Sequence, residues 1–220
     1  AGRLVEEALA SFLAQDYPGP KELLILNDLS DQDLVFDHPE VQVVNVGRRF
    51  RTLGEKLNAA VGLCTFDLIC IWSDDDIYLP HRLSQSVARY DATRGFYKPG
   101  QAFLLNDGVL GGPFASVLHG GSLFARDLFV EAQGYPHLTD AVDQAIEAAF
   151  ARVRAGSVMT DTLPPSDLFH IYRWDGPGSY HLSALEHGSN DPGAAYQAAA
   201  VFVADRIAAG RPAVGRIELQ

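Results

Sequence analysis

Phe66-Asp67-Leu68-Ile69-Cys70-Ile71-Trp72-Ser73-Asp74-Asp75-Asp76 is an apolar run that ends in three consecutive carboxylates. The run is short, rich in β-branched and aromatic residues, and free of Pro and Gly, which predicts a buried strand over 66–73. The carboxylates then emerge at the carboxyl end of that strand, and in an open α/β sheet this is the edge where ligands bind. Three packed carboxylates repel one another. A hard divalent cation such as Mg²⁺ or Mn²⁺, itself holding phosphate oxygens, removes that repulsion. An acidic turn that caps the helix after Pro80 is the other reading of the same residues.

The flanking sequence alternates helix and strand. Leu4, Val5, Ala8, Leu9, Phe12 and Leu13 fall on one face of a predicted helix, and Tyr17-Pro18-Gly19-Pro20 stops it. Glu22 to Asp28 (ELLILND) is a second buried strand and Val41 to Val46 a third; Leu53 to Leu63 is a helix, as is the stretch through Leu83 and Val87. Helix–strand alternation implies an α/β fold with a mostly parallel sheet flanked by helices. Beyond residue 95 Gly and Pro become frequent. Strand-like pieces are predicted at 102–105, 122–125, 158–163 and 168–174, a helix at 140–154, a loop at 175–192 and an Ala-rich helix at 193–209. Val214 to Leu219 reads as an edge strand or partner-binding tail.

The 220 residues are 47% hydrophobic and 20% charged, an ordinary globular composition, and the formal net charge is -11. Such a balance argues against a nucleic-acid partner and against adhesion to anionic lipid. No stretch has transmembrane length. Cys64 and Cys70 fit no metal-binding spacing and read as inert thiols in a reducing compartment. A cytoplasmic location is expected, at most peripheral to a membrane.

Several runs together resemble one family, the family 2-type glycosyltransferases with the GT-A fold. They are Glu6 to Pro18 (EEALASFLAQDYP), Leu24 to Ser30 (LILNDLS), Leu53 to Ala60 (LGEKLNAA), Ile71 to Leu83 (IWSDDDIYLPHRL), the run ending at Gly134 (GGSLFARDLFVEAQG), and Ala141-Val142-Asp143 where an acidic pair is usual. The resemblance implies a metal-dependent, DXD-type enzyme that passes a sugar, most commonly UDP-linked, to an acceptor hydroxyl with inversion. A nucleotidyltransferase making nucleotide sugars and a non-catalytic nucleotide-sugar-binding domain are the rivals. It also implies a GT-A domain over 1–187, with a nucleotide-binding half at 1–95 and an acceptor-binding half at 96–187. The remaining 188–220 would cap the core or pair two chains. The partners expected are a nucleotide-sugar donor and a carbohydrate, glycolipid or small-molecule acceptor.

The resemblance assigns roles as well. Asp28 would bond the base or ribose. Asp74, Asp75 and Asp76 would share ribose and metal contacts, with Asp74 or Asp76 the choice for Mn²⁺ or Mg²⁺. Asp143 is the candidate general base, although a carboxylate in a helix's first turn is also favoured by the dipole. His181 would complete the metal shell, and Arg173 would bind the diphosphate. Trp174 could pack on a sugar or in the core, and His119 could line the acceptor cleft or be structural. Lys56 reads as a solvated helix residue near Asn58, and Arg82 as a salt-bridge partner of the acidic turn. Two departures stand out. Val142 occupies the usual Glu position, and the family's first strand is missing before Arg3, so an open sheet is expected, with that strand ahead of Ala1 in the native polypeptide.

Overall fold

The computed structural model describes residues 2–106, 108–115, 118–174 and 218–219. In chain order its elements are α1 (Gly2–Leu13), β1 (Leu23–Asn27), β2 (Leu34–Val35), β3 (Val41–Asn45), α2 (Leu53–Leu63), β4 (Leu68–Cys70), β5 (Ile77–Tyr78) and α3 (Arg82–Arg89). There follow β6 (Phe96–Pro99), β7 (Gln101–Asn106), β8 (Val109–Ala115), β9 (Leu123–Ala125), α4 (Arg126–Glu131), α5 (Val142–Val153), β10 (Thr160–Asp161), β11 (His170–Arg173) and β12 (Glu218–Leu219). The architecture is α/β, and no described helix is long and apolar enough to cross a membrane.

Parallel pairing joins β1 to β3, as the alternating helix–strand order implies. The rest is mixed. β4 pairs antiparallel with β9, which also pairs antiparallel with β6, while β6 takes β10 in parallel. A second four-stranded sheet runs β5-β11-β7-β8. One reversal has a local cause: β7 and β8 are joined by a connection too short for a crossover. No ladder joins β1 to β4 among the described strands. The acidic-triplet strand is accordingly shorter than predicted. It spans Leu68–Cys70 rather than 66–73, with Ile69 buried and Leu68 and Phe66 exposed. Of the predicted tail strand, Glu218–Leu219 pairs antiparallel with β2. The 175–192 loop and the 193–209 helix lie outside the described residues.

Two cores carry the site. Leu9 and Phe12 of α1 pack with Leu23, Leu34, Leu83 and the edge of Trp72. Each such buried side chain contributes about 1.5–3 kcal/mol. On the other side Phe96, Phe124, Leu128, Tyr135, Ile146 and Phe150 form a second cluster between β6, β9 and α5. Polar clamps stitch the parts. The Gln15 amide donates to Ser11 O (2.9 Å) and Leu79 O (3.0 Å) and accepts from Leu83 N (3.0 Å), fixing the end of α1 to the chain that leaves the triplet. Asn58 bonds both backbone groups of Tyr135, at 2.9 and 2.8 Å, so it ties α2 to the second core rather than facing a ligand. Where α2 meets that segment there is no room for a side chain: a Cβ at Gly54 would stand 1.8 Å from Pro136 O.

Candidate active site

Asp28 ends β1 and is buried. Its Oδ1 accepts from Lys56 Nζ at 2.7 Å and its Oδ2 from Phe50 N at 3.2 Å. Burial alone would push its carboxyl up, but the Lys56 hydrogen bond and charge, with Phe50 N and Arg49, hold it below the ordinary carboxylate value. Lys56 is therefore not a purely solvated helix residue; it is the counter-ion of Asp28.

The triplet divides by burial. Asp74 is exposed, Asp75 half-buried and Asp76 only 4% exposed. The chain bends here instead of extending, which is why Asp74 and Asp76 do not present the common face that an extended segment would give them. Asp76 turns to β11: its Oδ2 lies 2.9 Å from His170 Nε2, and its Oδ1 accepts from Arg173 N at 3.1 Å. Tyr78 stacks on His170 with ring centroids 5.2 Å apart, and its hydroxyl accepts from Ser73 N at 3.1 Å. Burial, then the charge of Asp76, push the Tyr78 phenol well above its ordinary range.

Arg82 does not pair with a carboxylate, contrary to the salt bridge expected of it. Its fully buried guanidinium lies against the rings of Tyr78 (3.8 Å) and Trp72 (4.4 Å), and its Nη2 donates to Ile71 O and to Gly120 O at 2.9 Å. Desolvation explains the choice, since the aromatic faces and carbonyl oxygens form a prepared site inside the core, whereas Asp74 is out in solvent. Arg173 also departs from expectation. Its guanidinium is buried and donates to Glu7 Oε2 at 2.7 Å, so α1 holds the group that was expected on a diphosphate. Trp174 packs near Tyr172, with centroids 6.0 Å apart. His181 lies outside the described residues.

Asp143 is half-buried in the first turn of α5. The helix starts at Val142, after Ala141 in the left-handed conformation (φ 51°), with no side-chain cap. One turn further, Glu147 anchors a buried polar network that the sequence reading missed. Lys98 Nζ donates to both Glu147 oxygens at 2.8 and 2.7 Å. His119 Nδ1 lies 2.9 Å from Glu147 Oε1, and His119 Nε2 lies 2.9 Å from the Tyr135 hydroxyl. Burial would raise the Glu147 carboxyl, but hydrogen bonds from His119 and Lys98 and their charges bring it below its ordinary value. Tyr135 moves the other way, pushed far up by burial and by the charges of Glu147 and Asp143. The signal for Glu147 was its i, i+4 spacing from Asp143; that for His170 was a titratable residue heading an apolar strand. Burial also raises both thiols, Cys64 and Cys70, which keeps them protonated near neutrality.

Among the described residues no three His, Cys, Asp or Glu side chains converge into a metal cage. A cation held jointly with a diphosphate does not need one, because Mg²⁺-type sites take one or two carboxylates and fill the rest from phosphate oxygens and water. The exposed Asp74 is available for that donor set; the buried Asp76 would join it only through lone pairs beyond those facing His170 and Arg173 N.

The arrangement has counterparts among solved structures. S. aureus TarS 1-349 in complex with UDP is 14% identical at a TM-score of 0.58, over 78% of this chain and 56% of that one. The same protein in complex with UDP-GlcNAc matches at 14% and 0.59, over 91% and 63%. The mannosyltransferase PcManGT from Pyrobaculum calidifontis, in complex with GDP-Man and Mn²⁺, matches at 18% and 0.55, over 96% and 73%. This chain thus spans less than two thirds of the length of the TarS structures. No curated protein matches the chain. The shared fold is GT-A, the fold of nucleotide-sugar glycosyltransferases. Residues 2–99 match the family model described as Glycosyl transferase family 2.

Proposed function

We propose that this chain transfers a sugar from a nucleotide-diphosphate sugar to an acceptor hydroxyl, with a divalent cation at the acidic triplet and with inversion at the anomeric carbon. The observation that carries the reading is the family match over 2–99, a segment that contains Asp28 and the whole triplet. The solved neighbours hold UDP, UDP-GlcNAc or GDP-Man, which supports a nucleotide-sugar donor, UDP-linked by first choice.

Asp28, kept ionised by Lys56, is assigned to the base or ribose, with Asp75 beside it on the nucleotide. Asp74, Asp76 and His181 are assigned to the cation, Mn²⁺ or Mg²⁺, which when bound neutralises charge building on the leaving diphosphate. Asp143 accepts the acceptor's proton as its oxygen attacks. Arg173 is given no diphosphate contact, because leaving Glu7 would strand a buried carboxylate. Division into a nucleotide-binding half before residue 96 and an acceptor-binding half after it fits these assignments.

The test is turnover of a panel of UDP- and GDP-linked sugars, with Mn²⁺ or Mg²⁺ and with chelator, against small carbohydrate and lipid-linked acceptors. Metal-dependent transfer or slow donor hydrolysis, with an inverted anomer by NMR, is the expected result. No turnover of any donor, alongside pyrophosphate-dependent exchange of nucleotide, would overturn the reading in favour of a nucleotidyltransferase.

A further inference from the structure

Between the Asp76 site and the Asp143 helix lies one tight turn, His119–Gly120–Gly121. Its first residue points into the Glu147 network: Glu147 accepts at Oε1, so His119 Nδ1 donates to it, while His119 Nε2 faces the Tyr135 hydroxyl at 2.9 Å. Glu147 is four residues beyond Asp143 on the same face of α5, and Lys98 fastens it to β6. The second residue of the turn faces the other way. A Cβ on Gly120 would lie 3.1 Å from Asp76 Oδ2, 3.2 Å from the Tyr78 hydroxyl and 3.3 Å from His170 Cε1. The carbonyl of Gly120 is held by Arg82, whose other acceptor is the carbonyl of Ile71, just ahead of the triplet.

We infer that the His119–Gly120–Gly121 turn is a positioning element that sets Asp76 and Asp143 relative to each other, with His119 the positioning residue on the Asp143 side. The inference rests on the reaction proposed above for its catalytic consequence, but not for the coupling itself. Neither His119 nor Gly120 touches the reacting atoms. The turn acts through rigid neighbours: Glu147 and its helix on one side, the His170–Asp76 pair on the other. A methyl at position 120 would make the Asp76, Tyr78 and His170 side chains give by a few tenths of an ångström.

The experiment uses the full chain with His119→Ala, His119→Asn and Gly120→Ala. The asparagine amide can still donate toward Glu147, so His119→Asn serves as the conservative rescue. The expected result for His119→Ala is a kcat lowered by about 10–100-fold, the scale of a sub-ångström misplacement, with the donor KM changed by less than about 3-fold. His119→Asn recovers most of that loss. Independently of any activity, the carboxyl ¹³C resonances of Asp76 and Asp143 are recorded at one pH without ligand. His119→Ala and Gly120→Ala are each expected to move both resonances. The inference is overturned if each variant moves only the carboxylate nearest to it, or if His119→Asn is as impaired as His119→Ala. Should the parent chain transfer no sugar from any donor, the proposed reaction fails, and the two resonances alone decide the coupling.

Discussion

His170 Nε2 lies 2.9 Å from Asp76 Oδ2, and both side chains are almost wholly out of solvent. A buried carboxylate that loses a hydrogen-bond donor is left undersatisfied, at a cost of about 1–3 kcal/mol or more for a charged group. His170→Phe keeps the ring stacked on Tyr78 but removes that donor. It should lower Tm by about 2–12 °C, at about 2–4 °C per kcal/mol for a chain of this size. Thermal unfolding followed by circular dichroism checks this, and a Tm equal to the parent's would show that Arg173 N alone suffices for Asp76.

Asp143→Asn preserves shape and removes the basic oxygen. Loss of a positioned base lowers kcat by about 10²–10⁴-fold. The donor KM should stay within about 3-fold, because the donor is assigned to residues on the other side of the site. Steady-state kinetics with saturating acceptor separates the two constants. A variant with unchanged kcat would leave Asp143 as a first-turn carboxylate and nothing more.

Glu147 makes stability depend on acid. Its carboxyl titrates lower in the folded protein than its ordinary value of 4.5, so the unfolded chain binds the extra proton. Stability from this group is therefore fully present above about pH 4.5 and drains away as pH falls through the lower folded value. Asp28, held down by Lys56, acts in the same sense from 3.8. Glu147→Gln should flatten the acid limb of the stability curve. At neutral pH it should destabilise by about 1–3 kcal/mol, since a neutral amide accepts less strongly than a carboxylate from Lys98 and His119. Urea melts at several pH values test both statements.

Gly54→Ala sets two effects against each other. Gly54 is the second residue of α2, where alanine's advantage over glycine is at most the roughly 1 kcal/mol of a helix interior. The new methyl, however, would stand 1.8 Å from the backbone oxygen of Pro136, and backbone cannot rotate aside. Overpacking of this kind costs about 1–3 kcal/mol, so net destabilisation is the expected outcome. A more stable variant would mean that the 136–138 segment moves away readily.

The elements built on one-dimensional pattern were legible in the sequence. α2 falls at Leu53–Leu63 as predicted, and α1 and β1 lie within two residues of their predicted bounds. Short strands such as β2 and β5 were not, because two residues carry no period and exist only through their partners β12 and β11. The same distinction holds at the site. Asp28 and the triplet stand out by composition, but which acid is buried depends on β11, about a hundred residues downstream. Arg82 was misread because a charge beside an acidic turn looks like its ion-pair partner, whereas it meets aromatic rings and carbonyls; the Glu7 partner of Arg173 likewise comes from a distant segment that the sequence does not announce.

The acidic triplet spans two sheets. β4 ahead of it belongs to the β10-β6-β9-β4 sheet, and β5 after it to the β5-β11-β7-β8 sheet. Cooperative opening follows ladders, since each bond lost exposes the next. In native-state hydrogen exchange β5 and β11 should therefore lose protection together and separately from β4 and β9, so Asp76 can shift against Asp74 while both sheets stay folded.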